Sequence, residues 1–432
     1  VRGRELQVAP PLSRAGAIFG GSAGNLVEWF DWYAYSAGAL YFAPIFFPRG
    51  DQTAQLLQTA AIFAVGFFAR PVGAWLMGSY ADKVGRKAAL TLSVALMCGG
   101  SLLIAVTPGA AVIGAAAPLT LLCARVLQGL SLGGEYGASA TYLSEVASRR
   151  HRGFWSSFSY FTLIGGQLTA LLLLIVLQHV LSPPHMAAWG WRIPFLVGAG
   201  LAVVAYWLRR RLQESPSFMR MDAVGAKRGG VRALLVDYPR ETLTVLGLSA
   251  GGSIVFYIYA TYMQKFLTNT AGFSKDRATE ISALTLLAFM AAQPLCGWLS
   301  DKFGRKRMIV VAFGGGLLIT YPVMSSLAGV RSAGMAFLLI LAGILTQSCY
   351  TSVSAVMKAE LFPAQVRTLG VALPYAVANA LFGGTAEYAA LWFKTAGNEQ
   401  GFYIYASLLC AVSLAAALGM RDTRRFSRIL ED

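Results

Sequence analysis

The stretch Gly78-Ser-Tyr-Ala-Asp82-Lys83-Val-Gly85-Arg86-Lys87 returns 219 residues later as Gly297-Trp-Leu-Ser-Asp301-Lys302-Phe-Gly304-Arg305-Lys306. Its glycines, its aspartate and its basic residues keep their spacing. A second echo pairs Glu145 with Arg152 and Glu360 with Arg367, and its offset is 215 residues. Two echoes at nearly one offset describe a duplicated chain with two parallel halves. Residues 1–209 form one half and 241–432 the other, joined by a polar linker at 210–240. Halves of this kind enclose a site near the middle of a bilayer and rock about it. Each copy of the loop lies between long apolar runs. Gly85 and Gly304 permit a tight turn there. Asp82 and Asp301 stand at a helix end, where a carboxylate meets a neighbouring helix N-terminus or an arginine. With Arg86 and Arg305 they form a latch that closes the cytoplasmic side and releases as the halves rock. The plainer reading is a pair of basic topology anchors.

Working outward from the loops, apolar runs lie near 15–46, 53–80, 88–107, 113–144, 153–180, 190–209, 241–267, 279–300, 308–328, 333–358, 368–393 and 401–420. A helix needs about 20 apolar residues to cross the hydrocarbon, so twelve transmembrane helices are expected. The runs are too long and too continuously apolar for barrel strands, which take about 10 residues of alternating polarity. The composition agrees: of 432 residues, 56% are hydrophobic and 13% charged, against about 25% charged in a soluble protein. This excludes a soluble enzyme, a disordered chain and a disulfide-built domain. The net charge of +16 comes from basic clusters around residues 2–14, 83–87, 149–152, 209–240, 302–307 and 421–428. These clusters fall on one face of a twelve-span chain and set both termini in the cytoplasm, so no nucleic-acid partner is implied. The five cysteines are scattered singly in apolar runs and read as packing residues. No cleavable signal is expected, because the first apolar run outlasts signal length. There is no phosphate loop, nucleophile–base pair or metal-ligand cluster. Neither ATP, an enzymatic reaction, a metal nor a cofactor beyond the coupling proton is therefore expected.

The doubled loop resembles the hallmark of the major facilitator superfamily. Gly24-Asn-Leu-Val-Glu28-Trp-Phe-Asp31, Arg70-Pro-Val-Gly and Gly190-Trp-Arg192-Ile-Pro resemble its metabolite:proton symporter family. Further stretches resemble the alpha-ketoglutarate-carrying branch of that family. They are Leu56-Leu-Gln-Thr-Ala60, Gly133-Gly-Glu-Tyr-Gly, Thr162-Leu-Ile-Gly-Gly-Gln167-Leu, Thr261-Tyr-Met-Gln-Lys265, Lys358-Ala-Glu-Leu-Phe-Pro363-Ala-Gln-Val-Arg367 and Tyr375-Ala-Val-Ala-Asn379. The resemblance covers nearly the whole chain. It implies an all-α fold of two six-helix bundles in a bacterial-type inner membrane, and uptake of a dicarboxylic oxo-acid with protons by a functional monomer. The fifth span lacks the Gly-Pro-rich motif of drug/proton antiporters. The long C-terminal coiled coil of some osmolyte importers is not expected here.

A charge inside a span is costly and usually lines a cavity. At 100° per residue, Asn25, Glu28, Asp31, Trp32 and Tyr35 share an arc of roughly 120° on the first span. Arg125, Gln128, Glu135 and Ser139 share one face of the fourth. Arg125 and Glu135 are separated by roughly 15 Å along the axis, so each needs another partner. Depth pairs Arg70 with Glu135, and Asp31 with Arg125. The second pairing looks similar to the first-span acid and fourth-span arginine of related sugar/proton symporters. Three acids facing two arginines leave one acid holding a proton. Asp31 is the leading proton-coupling candidate, then Glu28, then Glu135. An anionic substrate that takes Arg125 leaves the displaced acid without its counter-ion, so proton and substrate bind cooperatively.

Arginine grips a carboxylate bidentately, and Arg125 is the candidate for one end of the substrate. Tyr35, Gln167, Tyr257, Tyr350, Tyr375 and Asn379 are candidate substrate ligands, with Gln347 and Ser354 beside them. Helix–helix hydrogen bonding is the competing role for each. Arg70, Glu145, Glu360 and Arg367 join Asp82, Arg86, Asp301 and Arg305 as gate residues. Lys358 either joins that gate or snorkels to the cytoplasmic interface. Lys265 either guides anions inward or anchors the outer interface. His151, His179 and His185 receive no proton role. The same fold carrying citrate, shikimate or a zwitterionic osmolyte is the alternative reading. A transport-dead nutrient sensor is more remote, because both loops are intact.

Overall fold

The computed structural model describes residues 14–84, 86–133, 135–210, 230–363 and 365–429, and among them the chain is helical without strands. In chain order the spans are α1 (Arg14–Phe46), α2 (Gln52–Val84), α3 (Arg86–Val106) and α4 (Ala116–Gly133, running on as Glu135–Val146). They continue as α5 (Phe158–Val180, behind a short turn at Arg152–Ser156), α6 (Ile193–Arg210) and α7 (Pro239–Asn269). The last are α8 (Lys275–Phe303), α9 (Arg305–Gly329), α10 (Ala333–Leu361), α11 (Arg367–Thr395) and α12 (Glu399–Gly419). Among the described residues, nine of these are long and apolar enough to cross a membrane, two more carry shorter apolar stretches, and α1 completes the twelve. Each expected span has its helix. In the linker region the described part is a short helix, Val231–Asp237.

The repeat read in the sequence returns in the packing. α2 packs on α4, α3 on α4, and α3 on α6. Six helices later, α8 packs on α10, α9 on α10, and α9 on α12. The halves meet where α5 lies along α8 and where α2 lies along α11. Glycine makes the α2–α4 contact possible. A Cβ on Gly129 would strike the carbonyl oxygen of Gly66, and one on Gly133 that of Arg70. Lipid gives no hydrophobic gain for joining helices, so backbones approach through small residues. Large apolar side chains such as Val106, Val112 and Leu318 point outward instead. That is the pattern of helices whose outer surface meets lipid.

Two local departures from the α-helix matter for the site. In α7 the residues Tyr257–Tyr262 form a π-helical turn, and in α11 so do Asn379–Gly383. Single π turns inside α-helices are frequent at functional sites. Here each begins at a residue singled out above as a substrate ligand. Pro71 and Pro374 follow Arg70 and precede Tyr375. Each proline removes one backbone donor from its helix.

Candidate transport site

Asp31 is buried on α1, and its carboxylate accepts hydrogen bonds from the Ser101 hydroxyl on α3 and from Gln128 Nε2 on α4, the latter at 3.1 Å. Gln128 Nε2 also donates to Ser101 Oγ at 2.8 Å. The carbonyl end of the same amide accepts from Arg125 Nη1 at 2.6 Å. Arg125 and Asp31 are thus linked through Gln128, and no direct ion pair joins them among the described residues. The depth argument expects the two at one level, and the structure joins them through that amide. It could not see that a side chain one helical turn from Arg125 would occupy the gap. Gly198 on α6 lets the Asp31 carboxylate approach, since a Cβ there would strike it.

The Arg125 guanidinium is fully buried and lies over Trp32 at 3.9 Å, Tyr35 at 4.5 Å and Phe63 at 5.1 Å from the ring centroids. Its Nε and Nη2 carry no hydrogen bond. Aromatic faces supply part of the stabilisation that a carboxylate would give. Tyr35 is drawn into this cradle, with its hydroxyl donating to the Thr59 carbonyl at 3.0 Å. Glu28 is buried one turn along the same face of α1.

Between the halves lies a narrow cavity lined by Tyr33, Tyr160, Tyr257, Tyr350, Tyr375 and Asn379 among others. Four candidate substrate ligands, Tyr257, Tyr350, Tyr375 and Asn379, meet there from α7, α10 and α11. Neither amide atom of Asn379 and no atom of the Tyr350 hydroxyl has a hydrogen-bond partner, although both side chains are buried. A second narrow space shares the Tyr33 wall and is lined by Ser36, Gln167, Thr261 and Gln264. Gln167 donates across the halves to the Ala260 carbonyl at 2.6 Å. Gln347 is used on the Gly252 carbonyl at 2.7 Å, so it serves helix–helix bonding.

On the side of these spaces expected to face outward, Lys265 and Glu387 form a buried ion pair at 2.6 Å, and Lys265 also donates to Ser36 on α1 at 2.8 Å. Lys265 is therefore not an interfacial anchor: its ammonium is paired inside the protein. Sequence reasoning passed over Glu387, although an acid inside an apolar run was itself the signal. It also missed Ser101, Tyr33 and Tyr160. These are ordinary residues of apolar helices, and only packing distinguishes them. Further outward contacts between the halves run from Lys275 Nζ to the Leu40 carbonyl at 2.8 Å and from Gln178 to Thr279 at 3.2 Å.

On the opposite side, expected to face the cytoplasm, Asp301 accepts from the backbone N–H groups of Gly153 and Phe154, both at 2.9 Å, and from Arg305 Nη1 at 2.8 Å. The carboxylate at a helix end has met both a helix N-terminus of the other half and an arginine. Gly304 takes φ 95°, a left-handed conformation that favours glycine at this turn. Glu360 stands 3.8 Å from Arg305 Nη2 and accepts from Thr423 at 2.6 Å. Arg367 donates to the Arg428 carbonyl at 3.1 Å, which draws the C-terminal segment onto the same cluster. Lys358 does not snorkel. It is fully buried, donates to the Tyr136 hydroxyl at 3.2 Å, and lies 3.8 Å from the Tyr375 ring centroid. Arg70 is also buried, among Trp29, Trp32 and Phe67. The side chains of Asp82, Arg86, Glu135 and Glu145 lie outside the described residues, and so does the Arg70–Glu135 contact expected above.

Comparison with known proteins agrees with this architecture. The family described as "Sugar (and other) transporter" matches residues 19–229 and again 225–425. The chain is 53% identical to the alpha-ketoglutarate permease of Escherichia coli (strain K12), over 94% of this chain and 93% of that one. It is 32% identical to the citrate-proton symporter of Salmonella typhi, over 97% of this chain and 98% of that one. Its fold matches the E. coli proton:xylose symporter XylE of the major facilitator superfamily, with a TM-score of 0.75 at 19% identity, covering 93% of this chain and 95% of that one. The protein is a secondary-transporter relative with the major facilitator fold, and it belongs to the sugar (and other) transporter family.

Proposed function

We propose that this chain imports alpha-ketoglutarate, or a dicarboxylate of similar shape, together with protons across a bacterial inner membrane. The halves 1–209 and 241–432 rock about the tyrosine-lined cavity, the 210–240 linker lets them move, and both termini lie in the cytoplasm. The working unit is a monomer in the lipid bilayer, with the proton as its coupling ion. The observation that carries the reading is the buried Asp31 carboxylate, whose link to buried Arg125 runs through the neutral amide of Gln128. An ionised carboxylate and a guanidinium so joined attract each other. An anion drawn toward Arg125 weakens that attraction, and Asp31 then holds a proton more firmly. Linkage makes the effect reciprocal, so protonation of Asp31 favours anion binding. The names of the E. coli and Salmonella relatives, a permease for alpha-ketoglutarate and a citrate–proton symporter, support both the cargo class and the coupling ion.

The test is uptake of labelled alpha-ketoglutarate into proteoliposomes under an imposed pH gradient. The wild-type chain is expected to accumulate it. Asp31→Asn is expected to lose gradient-driven accumulation while keeping exchange across equal concentrations. Accumulation of citrate or an osmolyte in place of alpha-ketoglutarate would move the protein to the alternative cargo. Undiminished uphill transport by Asp31→Asn would remove Asp31 from the coupling role.

A further inference from the structure

Two buried cations, Lys358 and Arg70, lie outside the coupling relay, the outer ion pair and the cluster around Asp301 and Glu360. Lys358 on α10 has no carboxylate partner among the described residues, and its single recorded hydrogen bond goes to a neutral phenol, Tyr136. Its ammonium lies over Tyr375, which stacks on Tyr136 at 4.2 Å. Arg70 on α2 leaves Nε and Nη1 without hydrogen bonds. It is a polar neighbour of the Tyr257 hydroxyl, together with Tyr33 and Asn379. Tyr257 and Tyr375 both line the central cavity, so the two cations stand behind its wall, one from each half of the protein. An uncompensated charge away from water is costly. Buried cations from both halves beside one cavity, with the Asn379 amide lining it unpaired on both atoms, describe a site built for a ligand that brings negative charge to two ends.

We propose that Arg70 and Lys358 are the two anchors of the dicarboxylate, one per carboxylate, with Asn379 and Tyr350 directed at the atoms between. This rests on the proposed function above. Arg125, enclosed by Trp32, Tyr35 and Phe63, then holds neither carboxylate itself; it responds to the negative charge that the clamp brings beside it. Because one anchor belongs to each half, a ligand with both carboxylates engaged ties the halves together. A ligand with one carboxylate cannot.

The test is direct binding to the purified full-length chain in detergent, comparing alpha-ketoglutarate with 2-oxopentanoate, which keeps the chain length and the oxo group but lacks the distal carboxylate. Wild type is expected to favour the diacid at least tenfold. Lys358→Gln is expected to weaken the diacid at least tenfold while changing the mono-acid less than threefold, so that selectivity collapses. Lys358→Arg is expected to restore most of it. Arg70→Gln is expected to weaken both acids or to reverse which carboxylate is needed, with the thermal midpoint confirming a folded chain. Equal loss of both acids in Lys358→Gln, or unchanged selectivity, would overturn the clamp while leaving alpha-ketoglutarate transport standing. A wild-type chain that binds no dicarboxylate would overturn the proposed function and the clamp with it.

Discussion

At the residue scale the decisive side chain is Gln128. Its amide is oriented by two charged neighbours at once, accepting from Arg125 and donating to Asp31. Gln128→Leu keeps most of the bulk and removes both bonds. Hydrogen bonds to charged groups are worth about 1.5–3 kcal/mol each, and here the loss separates acid from base. Gln128→Leu is expected to leave alpha-ketoglutarate exchange active and to cut pH-driven accumulation severalfold, as measured in the same proteoliposomes. Gln128→Glu puts a second acid beside Asp31 and is expected to shift the pH profile of transport. The sequence made much of this legible. The polar stripe on α1 and the face carrying Arg125 and Gln128 could be read from helical periodicity alone. Ser101 could not, because a serine in an apolar helix carries no signal until the structure shows which carboxylate it meets. The proton-poise reading leaned on distance along a helix axis, which gives depth and says nothing about a side chain that fills the gap.

At the element scale the fold depends on how closely α2 approaches α4 and on what holds the inner ends of the helices. Gly129 and Gly133 face backbone carbonyls of α2 with no room for a Cβ. Gly129→Val is expected to lower the thermal midpoint in detergent, by the equivalent of about 1–3 kcal/mol or more for an overpacked contact. The inner latch is a helix-end interaction. The Asp301 carboxylate caps the start of the helix at Gly153 and Phe154 in the other half and holds Arg305 in its own. Asp301→Ala removes charge-assisted bonds of about 1.5–3 kcal/mol each. It is expected to raise cysteine labelling of the cytoplasmic mouth and to lower that of the outer one. The doubled loop announced this element in the sequence, because an aspartate and a glycine at fixed spacing have a geometric task. The C-terminal segment was not legible. Asp422 accepts from the Arg305 backbone N–H at 3.1 Å, and Thr423 holds Glu360. Short polar segments after a last span look alike until packing sorts them. The π turns at Tyr257 and Asn379 were equally hidden, since hydrophobic periodicity is too coarse to reveal one extra residue in a turn.

At the scale of the whole molecule, contacts between the halves lie on both sides of the central cavity. The Asp301 latch closes the inner side, and the Lys265–Ser36, Lys275–Leu40 and Gln178–Thr279 contacts close the outer side. Alternating access requires each set to open in turn. The buried Lys265–Glu387 pair lies within the C-terminal half and holds the ammonium that reaches Ser36 across it, and breaking one partner of such a pair costs about 3–5 kcal/mol. Glu387→Gln is expected to destabilise the chain by that order in thermal unfolding, and Lys265→Met with Glu387→Met to recover most of it. Beneath these motions lies one claim: substrate and proton meet through the Asp31–Gln128–Arg125 link. The most direct measurement is proton uptake by the detergent-purified chain, followed with a pH indicator in weak buffer, on addition of alpha-ketoglutarate near neutral pH. The account predicts net uptake by the wild-type chain and its disappearance in Asp31→Asn while substrate still binds. Uptake of the same size in Asp31→Asn would contradict it.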